Sequence, residues 1–453
     1  MDRRTVIAII ATKSHLGPAA TLAGGIVAET RKTRIELVLV DASEFEAQKI
    51  RAWNPNFSRV RCHDEFVGPA DYAEIRRRYS LAETCFCLKP RVLNQLLDEG
   101  ADIAIYLDTD IGLYAPIRAI ADALDRHAIA LTPHLTAPLP EDHHLPRDIT
   151  ILRAGAFNLG FVGVANHPEA YRFLRWWTER EMRYGYVDPY YGWGGDQKWC
   201  DLVPALFDEV AILKSPGLNV GYWNLPSRPL SKKDGKWLAG GEPLVFFHFS
   251  GFDPGQPHIL SKFQDRIDPA QDPLLAELLN DYAMQLLKSG RELAPLLAQL
   301  PENPLVSLPP SVDGQVADPL QADQYAVTIT VQPTRLVVEP GEVAFLQVLI
   351  SNPADAPLWI ARHSDGVRGI GLSFHLFRAS GELLTWDNPR QHFSQSVPAR
   401  GSFTFEFRYQ IPLEPGQFTV EIDLVHEGHC WFGGSGAHTA RCEVFAGVLG
   451  GTK

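Results

Sequence analysis

The chain has 453 residues, 45% of them hydrophobic and 21% charged, enough apolar material for about two or three domains with cores of their own. Its formal net charge of −12 leaves no broad basic face, which argues against nucleic acid or anionic lipid as a partner. The longest apolar runs, such as Val6–Ala11 and Leu244–Phe247, fall far short of the ~20 residues that cross a bilayer, so no transmembrane segment is expected.

Met1-Asp2-Arg3-Arg4 leads directly into Thr5–Ile10, too short and too poorly flanked for a secretory signal. The six cysteines (Cys62, Cys85, Cys87, Cys200, Cys430 and Cys442) are too sparse for a disulfide framework and show no paired zinc spacing. Reduced packing thiols in a cytoplasmic protein are the expectation. From Thr5–Ala11 through a helical stretch around Ala19–Glu29 to Ile35–Val40 and Ile103–Leu107, short apolar runs alternate with helical segments, as in an α/β sheet covered on both faces. Trp199–Phe207 reads as a helix. After Pro269, Leu274, Leu275, Leu278, Leu279, Tyr282 and Leu286 mark one face of a helix expected to end near Ser289-Gly290.

Residues 301–323, rich in Pro, Ser, Asp and Gly, read as a linker. Beyond it the period becomes two: Phe403, Phe405, Phe407, Tyr409 and Ile411, then Phe418, Val420, Ile422 and Leu424, alternate with mostly polar partners. Turn signals at Pro340-Gly341, Asp365-Gly366, Ser380-Gly381 and Pro415-Gly416 separate short strands. The predicted organisation is an α/β domain over 1–300, a linker over 301–323, and an all-β antiparallel sandwich of about seven or eight strands over 324–453.

The sharpest chemical signal is Ile103-Ala-Ile-Tyr-Leu-Asp108-Thr-Asp110, a strand running into two carboxylates that extended backbone would point the same way. Two hard oxygen donors at a strand's C-terminal end suit Mg²⁺ or Mn²⁺ with coordination positions left for phosphates; the competing reading is a solvated turn. His248, inside the apolar Leu244–Phe249, reads either as a core histidine or as a third ligand, and an N/O set favours Mn²⁺. Lys262 reads as a surface lysine or as a neighbour of a diphosphate. Asp196, after the aromatic and glycine-rich Tyr190–Gly195, reads as a helix cap or as a sugar contact, and Asn158 as a turn residue or as an anchor for ligand hydroxyls.

Taken in order, Ala11-Thr12, Lys89-Pro90, Tyr106–Asp110, Phe157–Gly160, Asp196-Gln197 and His248–Gly251 followed by Lys262 make the first ~290 residues resemble nucleotide-sugar-dependent glycosyltransferases of the Rossmann-like GT-A fold, close to the bacterial family 8 type. The resemblance implies metal ligation by Asp108, Asp110 and His248, and a base contact near Thr12. It implies sugar-side roles for Asn158 and for the catalytic pair Asp196 and Gln197, diphosphate contact by Lys262, and donor contact by Lys89. Asp188 is a further candidate at the site. The usual Gly-x-x-Lys-Pro ending is stretched here from Gly251 to Lys262.

Residues 324–447, through Glu421–Phe432, resemble the immunoglobulin-like β-sandwich of polysaccharide ABC transporter ATPases, which binds exported glycan; Trp431 reads as a sugar platform or as a core residue. The expected function is therefore transfer of a sugar from a nucleotide sugar, UDP-sugar foremost, to a glycan acceptor. Retention of configuration and a role in bacterial surface polysaccharide synthesis, beside its assembly machinery, are expected with it. A non-catalytic carbohydrate-binding or assembly protein and a nucleotide-sugar hydrolase are the alternatives.

Overall fold

The computed structural model describes residues 3–30, 33–188, 193–300, 320, 322–338, 340, 343–360, 369–386, 388, 390–391, 396–412, 414–427 and 430–447. The chain divides into two compact units, Met1–Asn303 and Pro304–Lys453; the expected linker lies almost wholly outside the described residues.

In the first unit β1 (Thr5–Ala11), β2 (Arg34–Leu39), β3 (Arg59–Cys62), β4 (Ile103–Leu107), β6 (Ile129–Pro133), β7 (Phe157–Ala165) and the strand Val210–Ile212 form one sheet. Its order is Val210–Ile212, β6, β7, β4, β1, β2, β3. All neighbours are parallel except those of β7, which runs antiparallel to both β4 and β6. Reversal of that one strand brings its beginning, Phe157-Asn158, to the edge where β1 and β4 end. The short β5 (Ile111–Leu113) leaves this sheet and pairs with Phe246–His248.

Helices cover both faces, which is why β1 and β4 are almost entirely buried. On one face α1 (Leu16–Glu29) packs its Leu16, Ala19, Leu22, Ala23 and Ile26 against Ile7, Ile9, Ile35, Leu37, Ile103 and Ile105. Between β2 and β4 come α2 (Glu44–Trp53), α3 (Pro69–Arg78) and α4 (Leu81–Asp98). Both α2 and α4 start with a capping box, Ser43 with Glu46 and Ser80 with Glu83, which satisfies free N–H groups of the first turn. α4 lies across β1 and β4 and carries Lys89.

Two helix expectations are corrected. The late helix spans Pro273–Leu297 and does not stop at Ser289-Gly290. Those two residues are a crossing point with α1: the Thr21 and Ser289 hydroxyls are 2.8 Å apart, and a Cβ on Gly17 would lie 3.8 Å from the Gly290 nitrogen. Small residues there admit close backbones, and the helix continues because Leu293 beyond them is buried in the core. The helix expected over Trp199–Phe207 is instead three short pieces, Asp196–Trp199, a 3₁₀ turn at Cys200–Leu202, and Val203–Leu206.

In the second unit Thr328–Gln332, Val343–Asn352 and Gly401–Gln410 form one sheet, and Arg335–Val338, Ala440–Ala446, Gly416–His426, Ile370–Arg378 and Leu383–Thr385 form another in that order, with Cys430–Trp431 paired to Gly416–His426. Both contribute to one apolar cluster: Leu346, Val348, Ile350, Phe405 and Phe407 meet Leu372, Phe374, Val420, Ile422 and Leu424, as the period-two pattern predicts. Strand pairing is not wholly antiparallel, since Arg335–Val338 runs parallel to Ala440–Ala446; nearly the whole unit separates these strands in sequence, and only such long connections allow parallel neighbours. The turn at Ser380-Gly381 is present with Gly381 at φ +86°, whereas Gly341 and Asp365-Gly366 lie outside the described residues. Among the described residues no helix is long and apolar enough to cross a membrane.

Candidate active site

Asp108 still belongs to the sheet edge, its N–H donating to the Gly160 carbonyl at 2.9 Å. Thr109 and Asp110 then form a turn into β5. This corrects the extended backbone expected for Asp108–Asp110: the chain must bend because β5 pairs outside the main sheet. That pairing sets His248 opposite Ile111, and the Phe249 N–H donates to the Asp110 carbonyl at 2.8 Å. Two motifs far apart in the chain are thereby brought together, and one ligand atom from each of Asp108, Asp110 and His248 lies within 4.8 Å of the others. His248 Nε2 is 3.1 Å from Asp110 Oδ1 and 3.9 Å from Asp108 Oδ2.

Burial by itself would lower the pKa of His248, but the Asp110 carboxylate raises it above the ordinary histidine value. Burial likewise opposes ionisation of Asp110, and His248 overcomes it, holding the carboxyl below its usual range. The imidazole is 5% exposed, against 25% for the Asp108 side chain and 40% for that of Asp110. Two oxygen anions with an open side, backed by a buried nitrogen donor, fit a Mn²⁺- or Mg²⁺-sized cation. Among the described residues this is the one such group. Tyr106 donates its hydroxyl to Asp108 Oδ1, which leaves the other oxygen on the His248 side.

Behind His248 stands a buried layer of amides. Asn158 Oδ1 lies 3.1 Å from His248 Nδ1, accepts from the Gly160 N–H at 3.0 Å and from Asn219 Nδ2 at 3.0 Å, and Asn158 Nδ2 faces His134 Nε2 at 3.0 Å. Asn224 holds the backbone of this layer, donating to the carbonyls of His134 and Asn219. The Trp223 ring meets both imidazoles edge-on, at 5.4 Å from His134 and 5.3 Å from His248. Gly160 has no side chain because there is no room: a Cβ would sit 2.3 Å from His248 Cε1. Gly160→Ala is therefore expected to push the imidazole off the carboxylates, weakening divalent-cation binding at least ~10-fold, with about 1–3 kcal/mol lost to overpacking; cation titration and denaturant melts read the two effects separately.

Lys89 lies beneath the site, 1% exposed. Its ammonium donates to Asp196 Oδ2 at 2.6 Å and to the Leu159 carbonyl at 3.0 Å, with Asp108 Oδ1 at 3.6 Å. Burial works against its charge, but Asp108 and Asp196 more than compensate and keep it protonated. Asp196 does not cap its helix; Gly195 occupies that position, and no side-chain cap is present. Its carboxylate is turned inward to Lys89 instead. Gln197 is tied at both ends, donating to the Ala154 carbonyl at 3.0 Å and accepting from the Leu159 N–H at 3.4 Å.

Thr12, at the end of β1, holds His15 Nδ1 at 2.8 Å, and His15 in turn favours ionisation of Asp110. Lys262 is exposed next to the loop after His248, its N–H donating to the Gly251 carbonyl at 3.1 Å and its ammonium 5.1 Å from the Phe263 ring centre. The backbone of Asp188 belongs to a two-residue strand, while its side chain and residues 189–192 lie outside the described residues.

Sequence reasoning missed His134, Asn219 and Asn224. His134 directly follows β6 at the same sheet edge as Asp108, so searching every strand end for polar residues would have found it. Asn219 has a left-handed backbone, φ +52°, and no local pattern announced it.

No family model matches the chain. It is 30% identical over 175 residues to the uncharacterized protein YfnF of Bacillus subtilis (strain 168), an overlap of 38% of this chain and 57% of that protein. It is 28% identical over 222 residues to the uncharacterized protein YfnD of the same strain, covering 48% of this chain and 68% of YfnD. The chain thus spans under two thirds of YfnF. A solved structure of the galactosyltransferase LgtC in complex with donor and acceptor sugar analogs is similar at 16% identity and a TM-score of 0.37, over 64% of this chain and 99% of that one.

Proposed function

We propose that the chain is a metal-dependent glycosyltransferase of the GT-A type, transferring a sugar from a nucleotide sugar, most simply a UDP-sugar, to a glycan acceptor. The observation that carries this reading is the convergence of Asp108, Asp110 and His248 within 4.8 Å at the edge where Thr12 follows β1 and where Lys89 orders Asp196. A divalent cation bound by these three side chains would offset the charge that develops on a diphosphate leaving group. Lys262, exposed beside the His248–Gly251 loop, is read as a second positive charge for that diphosphate. Asp196 and Gln197, fixed by Lys89 and by the backbone of Ala154 and Leu159, are read as the pair on the anomeric side of the donor sugar. Transfer proceeds with retention, the acceptor hydroxyl giving its proton to the departing phosphate oxygen.

The second unit is read as an immunoglobulin-like sandwich that engages the acceptor glycan. Trp386 is 49% exposed and has one face stacked on His375 at 3.7 Å, with Trp431 at 6.0 Å under the Arg390 guanidinium; such an aromatic surface beside planar hydrogen-bonding groups suits a sugar ring. We place the protein in the cytoplasm, in surface polysaccharide synthesis.

The test is a panel of nucleotide sugars incubated with the full chain and Mn²⁺, with and without chelator, reading nucleotide release and products. Release from one donor that stops in chelator is expected. Release undiminished by chelator removes the metal from the mechanism, and glycan binding with no turnover of any donor makes the chain a binding protein. Free sugar as the only product in the presence of glycan acceptors makes it a hydrolase.

A further inference from the structure

The hydrogen bonds behind His248 have a direction that can be derived link by link. His134 is buried, and burial pulls its pKa down to about 4, so the ring is neutral and carries one N–H. His134 Nδ1 lies 2.8 Å from the Gly155 carbonyl, which can only accept, so the proton is on Nδ1 and Nε2 is an acceptor. The group of Asn158 facing it at 3.0 Å is therefore the NH₂. An independent contact gives the same amide orientation: the Gly160 N–H, which can only donate, points at the other end of Asn158 at 3.0 Å, and Asn219 Nδ2 donates there too. The Asn158 oxygen is thus held toward His248 Nδ1 at 3.1 Å, with Asn219 Oδ1 a second acceptor at 3.3 Å.

Two acceptors facing Nδ1 require a proton on it. In the neutral ring Nε2 then has the lone pair, and it is aimed at Asp110 Oδ1, 3.1 Å away. A lone pair facing a carboxylate is repulsive unless a proton or a cation is shared between them. We propose that Asn158 and His134 are positioning residues that hold His248 in the Nδ1–H tautomer, so that its Nε2 is available as the nitrogen ligand of the Asp108–Asp110–His248 group. This rests on the metal reading of the site. It gives Asn158 work that needs no sugar: the residue is 7% exposed, and both ends of its amide are used inside the protein. Loss of an outer partner of a ligating histidine weakens metal binding about 10–100-fold.

The experiment titrates the full chain with Mn²⁺ alone, without nucleotide, for wild type, Asn158→Leu, His134→Phe and His134→Gln, each checked for folding by circular dichroism. Asn158→Leu and His134→Phe are expected to bind Mn²⁺ at least ~10-fold more weakly. His134→Gln, whose amide oxygen can still accept from Asn158, should restore most of the affinity. Should Asn158→Leu fail to fold, the Phe and Gln variants of His134 carry the test. Unchanged Mn²⁺ affinity in the folded Leu and Phe variants overturns the proposal, and an accompanying rise in donor KM would make Asn158 a sugar contact. A wild type that takes up no Mn²⁺ overturns the metal reading itself, which the variants cannot do.

Discussion

Asp110→Asn is expected to abolish divalent-cation binding in practice, a loss beyond the about 10–100-fold that outer partners cost, while the fold is kept. Asp110 sits in a turn with its side chain 40% exposed, and neighbouring elements are held through its backbone carbonyl, which the substitution preserves. What disappears is one of two anionic donors and the charge that raises His248. Calorimetric titration with Mn²⁺ and a thermal melt, run on the same preparation, check this. Wild-type affinity in the variant would show that Asp108 and His248 suffice without it, and the three-ligand site would have to be abandoned. Any nucleotide-sugar turnover should fall with the affinity.

Lys89→Met is expected to cost about 3–5 kcal/mol, the loss that follows when one partner of a buried ion pair is removed and the other charge is left behind. Met fills the space over Tyr106 and Phe86, whose ring centres lie 4.5 and 4.9 Å from the ammonium, so lost packing is the smaller effect. Asp196 loses its 2.6 Å partner, and the Leu159 carbonyl loses its donor. Denaturant unfolding of Lys89→Met and of Lys89→Met with Asp196→Leu makes the comparison: the double variant should recover most of the stability because neither charge of the 2.6 Å pair is left without the other. A single variant that melts like the wild type would mean that Asp196 takes up a proton at little cost. Mn²⁺ affinity should not fall in Lys89→Met, since the ammonium 3.6 Å from Asp108 competes with a cation for the same carboxylate.

Residues with local signatures were legible. β1 and β4 were placed to the residue, and Asp108 and Asp110 were singled out, because a continuous apolar run ending in two acids is visible within ten positions. Alternation at Phe403–Tyr409 revealed half-buried strands for the same reason. Helix ends were harder. Ser289-Gly290 carries a stop signal, and nothing nearby in the chain says that α1 crosses there and that burial of Leu293 pulls the helix onward.

What the sequence determined by itself was chemistry and period: which residues can carry charge, ligate or pack, and whether their spacing is that of a strand or a helix. The tertiary structure alone decided which of them meet. His248 joins Asp110 only because β5 leaves the main sheet to pair with Phe246–His248, and Asn158 lies behind it only because β7 runs against its neighbours. Lys89, free to be a ligand contact as far as its motif goes, is held by Asp196 from 107 positions away. Orientation of a side chain depends on hydrogen-bond partners supplied by distant segments, and those partners are chosen when the sheet closes, not by the residues beside them in the chain.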